Sequence, residues 1–239
     1  MKNNRINLLL IAFAVIMQRV LFQTLDFESY EFPFASSLMI FQSQTGNLLI
    51  ILYTFLPIPF ILFEFSGMVH ELMEGYGKLW IIRAYRKDRL YMKTMISCAL
   101  KLLMIVLYQI LIFSIGNGRW QPVSGSQILW VMAAYYIGLL AMVLLQLVLE
   151  FFVDASYANL ISNLFFVVSL FLGNLLLPAE KTEWLGTVLF PNMMFGTRNG
   201  MIYQNAISVE YGYALSYLLG IVVLTGYYGI FKFNKKDVF

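Results

Sequence analysis

His70, Glu71 and Glu74 fall within five residues of one another in "HELMEGYGK", and two chemistries use sets of this kind. A zinc peptidase places a second histidine four residues after the first, with a glutamate between them as general base. Here the fourth residue on is Glu74, and the chain has a single histidine. A nucleotide-binding P-loop needs G-x-x-x-x-G-K-[ST], so that glycine backbone cradles the phosphates and a hydroxyl reaches magnesium. Counting back from Gly77, the first glycine position holds Leu72, and the residue after Lys78 is Leu79, which has no hydroxyl. The spacing fails at both places, so ATP is not bound by that device. One cysteine and one histidine do not make a structural zinc site. Cys98 reads as a small apolar residue of a span, and no metal or cofactor is expected.

The remaining charges in apolar surroundings are Arg19, Glu64, Lys101 and Glu150. An ionisable group inside a membrane segment marks function by default, and its depth decides the weight it carries. Arg19 lies late in its apolar run and is expected to snorkel to headgroups. Glu64 ends a run, Lys101 lies two turns into the next, and Glu150 ends another. Glu64 and Lys101 are positioned to pair across helices. No carboxylate or histidine stands at mid-span, so the relay of a proton-coupled pump is missing. An intramembrane enzyme needs polar groups that converge at depth, and edge charges do not supply them; the chain does not read as an enzyme.

Backbone-bending residues form a second group. Pro57 and Pro59 in "TFLPIPFILF" remove two backbone donors and kink or break a helix. They stand either for a packing kink or for a broken helix lining a substrate path, since irregular backbone at depth must face protein or water. Small residues four apart, Ala134/Gly138, Ser169/Gly173 and Ser216/Gly220, allow close helix approach and fit a packed bundle.

These residues must be carried by membrane helices. Of the 239 residues, 60% are hydrophobic and 12% charged, against about 25% charged in a soluble domain. "LLMIVLYQILIFSIG" and "LLGIVVLTGYYGIF" are unbroken runs, not the alternating strands of a barrel. The expected fold is an all-α membrane protein, a single transmembrane domain over 1–239 with six transmembrane helices. They cover about 6–22, 47–65, 95–116, 128–149, 158–177 and 213–231, with a loop over 67–94. Asp154 or Ser156 would N-cap the fifth. The semi-apolar stretch 178–212, broken by Pro191, Gly196 and Gly200, is expected to form short helices at the outer interface, with Trp184 at headgroup depth.

Lys and Arg set the orientation. Lys2 and Arg5, then Lys78, Arg83, Arg86, Lys87, Arg89 and Lys93, then Lys232, Lys235 and Lys236 fall on one side of a six-span chain. The other side holds Arg119, Lys181 and Arg198, with Arg19 near it. Both termini are therefore expected in the cytosol of a multi-pass cell-membrane protein. The first apolar run, with "MQRVLFQTLD" after it, lacks a small-residue cleavage pattern and reads as an uncleaved span. Basic residues scattered at membrane edges do not form a nucleic-acid-binding face.

The densest charge lies in "ELMEGYGKLWIIRAYRKDRLYMK". An amphipathic helix in the headgroups, anchored by Trp80, explains its cations. It does not explain Glu71 and Glu74, which share a helix face and gain nothing from anionic lipid. The segment resembles the loop between spans two and three of type-2 ABC export permeases. That loop reads as acids, glycine, an apolar stretch, basic residues and a lysine entering span three. Glu71, Glu74, Gly75, Leu79, Ile82, Arg86, Lys87 and Lys93 stand in those places. Many members have Thr after the glycine, where this chain has Tyr76. The basic end "FKFNKKDVF" and the interrupted loop before the last span are similar as well.

The resemblance implies a cytosolic coupling helix that docks on a separate ATP-binding cassette subunit. Tyr76, Gly77 and Arg83 would belong to the same docking element. It also implies a second permease, as homo- or heterodimer, and export of an amphipathic substrate such as an antimicrobial peptide. A non-transporting immunity or sensor protein is the alternative, with an intramembrane enzyme behind it.

Overall fold

The computed structural model describes residues 4–24, 55–74, 86–115, 125–176, 183–195 and 211–235. Among them the regular structure is helical, with no strand. In chain order the helices are α1 (Asn4–Thr24), α2 (Pro57–Phe65), α3 (Met68–Glu74), α4 (Lys87–Ser114), α5 (Gly125–Leu149), α6 (Ala155–Leu176), α7 (Glu183–Val188) and α8 (Tyr211–Lys235). A 3₁₀ segment, Phe190–Met194, follows α7. Four stretches are long and apolar enough to cross a membrane: Lys87–Phe113, Leu129–Leu149, Ala155–Gly173 and Gly212–Lys235. The apolar part of α1, Ile6–Leu21, is shorter.

α5 is the centre of the bundle. Two thirds of its apolar stretch is buried, against a third or less for the other three. Ala134, Leu139, Ala141, Met142, Val143 and Leu147 are fully enclosed, and α4, α6, α8 and the 3₁₀ segment pack around them. The other helices turn one stripe inward. On α1 the inward stripe is Ile11, Ala14, Val15 and Gln18, while Leu9, Phe13, Ile16 and Val20 point out. Apolar side chains on both faces suit a helix with protein on one side and lipid on the other.

Helix directions follow from side-chain meetings. Arg19, late in α1, reaches Ile115 at the end of α4, so these two helices run parallel. Tyr91, early in α4, meets Phe233, late in α8, so those two run antiparallel. The start of α1, the start of α4 and the end of α8 therefore share one end of the bundle. α3 and the α5–α6 corner lie there too.

Several expectations change. Phe55 is helical and Leu56 is an αR turn, so Pro57 and Pro59 stand at a break in the helical course, in the first turn of α2, where the missing N–H of Pro57 has no partner to lose. Residues 47–54 of the expected span are outside the described residues. The third long helix begins at Lys87 rather than near 95, so the basic end of the 67–94 loop is helix, and Met68–Glu74 is helix as well. The segment Phe190–Met194 packs into the bundle instead of lying on its surface: each of its five residues is buried against α5, α6 and α8. Among the described residues of this connection, α7 carries the exposed ones, such as Trp184.

Arg19 does not snorkel. It is 7% exposed, donates to the Ile115 carbonyl at 3.5 Å and lies 5.7 Å from the Phe113 ring centroid. A guanidinium at the C-terminal end of α4 satisfies an open carbonyl and complements the helix dipole, which favours this site over the headgroups.

The small-residue pairs also play different parts. Gly138 receives Met194 of the 3₁₀ segment: a Cβ there would stand 2.1 Å from Met194 Cγ. Gly226 and Gly229 let α8 approach α4, where added Cβ atoms would meet Met95 Cε at 2.6 Å and Tyr91 Oη at 2.3 Å. Gly220 faces outward, with nothing within 4 Å of an added Cβ.

Candidate functional site

α3 is seven residues long, too short to hold itself together. Its position is set by its start. The chain leaves α2 at Phe65, and Gly67 adopts φ 84°, a left-handed conformation that glycine takes without steric cost. The turn redirects the backbone, and the Gly67 carbonyl then accepts the first α3 bond, from Glu71 N at 3.0 Å.

The open N–H groups at this start are met from another part of the chain. Glu150 follows the last residue of α5, and its carboxylate accepts from Gly67 N at 2.7 Å and Val69 N at 3.0 Å. The carboxylate thus serves as the N-cap of a helix 81 to 83 residues away, and it also suits the positive end of the α3 dipole. Ser66 Oγ donates to the Ala155 carbonyl at 3.1 Å, and Gln146 Nε2 donates to the Leu62 carbonyl at 3.1 Å. Gln146 and Glu150 stand one turn apart along α5, so they grip the end of α2 and the start of α3 together. On the far side of the corner, the Asp154 carbonyl accepts from Ala158 N at 2.9 Å, which makes Asp154 the N-cap position of α6.

Below this clamp α3 has two faces. Val69 is buried, Leu72 and Met73 pack on the core, and the Cys98 thiol meets Met68 Sδ at 3.3 Å. His70, Glu71 and Glu74 point outward. His70 Nε2 lies 3.0 Å from Glu74 Oε2, so the histidine partners the acid one turn on. The result is a short, firmly seated helix with an acidic outer face.

The start of α4 carries the cations. Arg86 is extended and precedes the helix, and its guanidinium pairs with Asp88 at 2.9 Å, placing an acid where the α4 dipole favours one. Lys87, Arg89 and Lys93 follow within two turns. Tyr91 and Leu90 turn inward. Tyr91 contacts the Phe151 ring at 5.9 Å and the Phe233 ring at 5.4 Å, joining α4, the α5–α6 corner and α8. Lys232 lies 4.9 Å from the Phe152 ring centroid, beside the same corner. Every element at this end therefore touches the α5–α6 corner or a neighbour of it.

Of the residues expected to form a docking element, Glu71, Glu74, Arg86 and Lys87 are placed at this end. Gly75, Tyr76, Gly77, Leu79, Ile82 and Arg83 lie outside the described residues. Pro57 and Pro59 belong to the helix that leads into the clamp. Sequence reasoning named Glu150 as an edge charge but not as a cap, and it passed over Ser66, Gly67 and Gln146. The available signal was Gln146 and Glu150 at i, i+4 in an otherwise apolar run. A separate pair is also assembled: Lys101 Nζ stands 4.0 Å from Glu64 Oε1, as the sequence positioned them to do. Among the described residues no group of His, Cys, Asp or Glu could hold a metal ion.

The chain is similar to the uncharacterized protein YybK of Bacillus subtilis (strain 168), with 25% identity over 240 residues and 95% of each chain covered. No solved structure matches it. A family model matches residues 11–239, nearly the whole length, and the chain belongs to that family, the one described as "Protein of unknown function (DUF2705)".

Proposed function

We propose that this protein is the membrane-spanning permease subunit of an ATP-driven ABC exporter. In this reading it crosses the cell membrane six times, with both termini and α3 in the cytosol. It pairs with a second permease and with separate ATP-binding cassette subunits, and it moves an amphipathic substrate such as an antimicrobial peptide. The observation that carries the reading is the attachment of α3. Its acidic face is presented outward while Glu150, Ser66 and Gln146 fasten its start to the α5–α6 corner and to α2. A helix seated this way moves as one body with the ends of three helices, which is what a rigid-body transmission needs. The first turn of α2, with Pro57 and Pro59, is then the place where the membrane part can flex.

Glu74→Lys tests this reading. The substitution reverses a charge on the outer face and removes the solvent-exposed contact with His70, which contributes little to stability. Membrane insertion and melting should stay as they are, while a cassette ATPase that co-purifies with the full chain from its own membranes is lost. Failure to co-purify any cassette ATPase with the unaltered chain sinks the exporter reading and leaves the immunity or sensor role. Retention of the ATPase by the variant, with transport intact, removes Glu74 from the docking face.

A further inference from the structure

Between α1, α2 and α4 lies a cavity of about 390 Å³, apart from the α3 clamp. Leu8, Ile11, Met104 and Ile105 form its apolar wall, and Glu64 and Lys101 its polar end. Leu8 and Met104 are half or more exposed on the outer surface of the bundle, so the cavity opens sideways, toward the region an acyl chain would occupy.

The polar end is built but incomplete. The Glu64 side chain is 3% exposed, while that of Lys101 is 43% exposed. They meet at 4.0 Å through Glu64 Oε1, the outer limit of an ion pair, and Glu64 Oε2 is buried with no hydrogen-bond partner among the described residues. A carboxylate so far from water is costly unless donors reach both its oxygens. The site therefore calls for a donor group beside Glu64. The half-open ammonium of Lys101 calls for an anion on the same ligand.

Depth narrows the ligand. Met68, at the start of α3, touches Cys98, and Lys101 stands three residues further along α4, about 4.5 Å deeper. The pair thus lies just inside the level of the α5–α6 corner; with that corner at a membrane surface, this is where the headgroups of one leaflet would meet their chains.

We propose that this cavity binds an aminophospholipid of that leaflet. Its primary ammonium donates to Glu64 Oε2, its phosphate faces Lys101 Nζ, and one acyl chain lies along Leu8, Ile11, Met104 and Ile105. The ammonium is the discriminating group. A choline head has no N–H to offer Glu64, and a glycerol head brings no cation to the buried carboxylate. The proposal is independent of the exporter reading and of the ATPase.

Native mass spectrometry of the full chain tests it, with phosphatidylethanolamine, phosphatidylcholine and phosphatidylglycerol of identical chains supplied in turn. One phosphatidylethanolamine should be retained about tenfold more tightly than either of the others, the margin of one charge-assisted hydrogen bond. Glu64→Gln should erase that preference, and Lys101→Gln should weaken phosphatidylethanolamine while leaving its advantage over phosphatidylcholine. Met104→Trp fills the exposed mouth without touching either charge and should lower phosphatidylethanolamine retention in a chain whose circular dichroism is unchanged. Equal retention of all three lipids, tighter binding of phosphatidylglycerol, or no lipid retained overturns the proposal. So does Met104→Trp that folds and retains phosphatidylethanolamine as before.

Discussion

A carboxylate that accepts two backbone N–H groups at a helix start supplies both hydrogen bonds and a favourable charge at the positive end of the dipole. Glu150 does this for α3. Since α3 has seven residues, its persistence depends on that cap and on the burial of Val69, with Leu72 and Met73 packed behind it. Glu150→Ala should cost about 2 kcal/mol of stability. Its clearer mark is local: amide exchange across 67–74 should speed up well before α5 is affected. Exchange in 67–74 that stays as slow as in the parent chain would show that packing alone seats α3. Glu150→Gln keeps an acceptor oxygen but not the charge, and should fall between the two. The acid itself was legible in the sequence as a charge ending an apolar run. Its partner was not, because Gly67 is 83 residues away and backbone N–H groups leave no trace in residue identity. Arg19 failed for the same reason: a carbonyl at the end of α4 drew it inward, and nothing in the order of side chains announces a carbonyl.

At the scale of elements, the long helices were legible because twenty or so apolar residues have few other uses. The expected 128–149, 158–177 and 213–231 became Gly125–Leu149, Ala155–Leu176 and Tyr211–Lys235. The connection before α8 was harder. Its Pro191 and semi-apolar composition fit either an interfacial helix or a buried turn, and the deciding feature is a cleft in α5 that composition does not display. Gly138 makes that cleft. Ala134 and Gly138 read as a helix-approach pair, yet the side chain received there is Met194. Asn192 stabilises the same segment, donating from Nδ2 to the Gly186 carbonyl at 2.9 Å. Buried non-helical backbone is tolerated at membrane depth when protein encloses it in this way. Gly138→Ala should therefore force Met194 aside and cost about 1–3 kcal/mol. Met194→Ala alone opens a cavity in the same place, but the double variant should recover part of the loss. A double-mutant cycle on melting in detergent measures this, and strict additivity would mean that the two sites do not share the space.

For the whole molecule, sidedness is the property on which the proposed function turns, because ATP is a cytosolic ligand. The described residues put Lys87, Arg89, Lys93, Lys232 and Lys235 at one end of the bundle together with α3, and Arg19 toward the other. In the proposed function the positive-inside rule would orient the bundle with α3 toward the cytosol. Trp184 on α7, which follows α6 in the chain, would then lie on the outside. The chain is well suited to a labelling test, since its one native cysteine, Cys98, is fully buried. Glu71→Cys and Trp184→Cys each place a thiol on an exposed surface, and neither position contributes to the packed core. A membrane-impermeant maleimide applied to intact cells should modify the cysteine at 184. The one at 71 should react only after the membrane is opened. The reverse pattern would place α3 outside, where no ATPase could reach it. Labelling of both positions in intact cells would require an odd number of crossings between 71 and 184 to be replaced by an even one. Three helices long and apolar enough to cross a membrane, α4, α5 and α6, lie between the two positions, so labelling from opposite sides is the expected outcome.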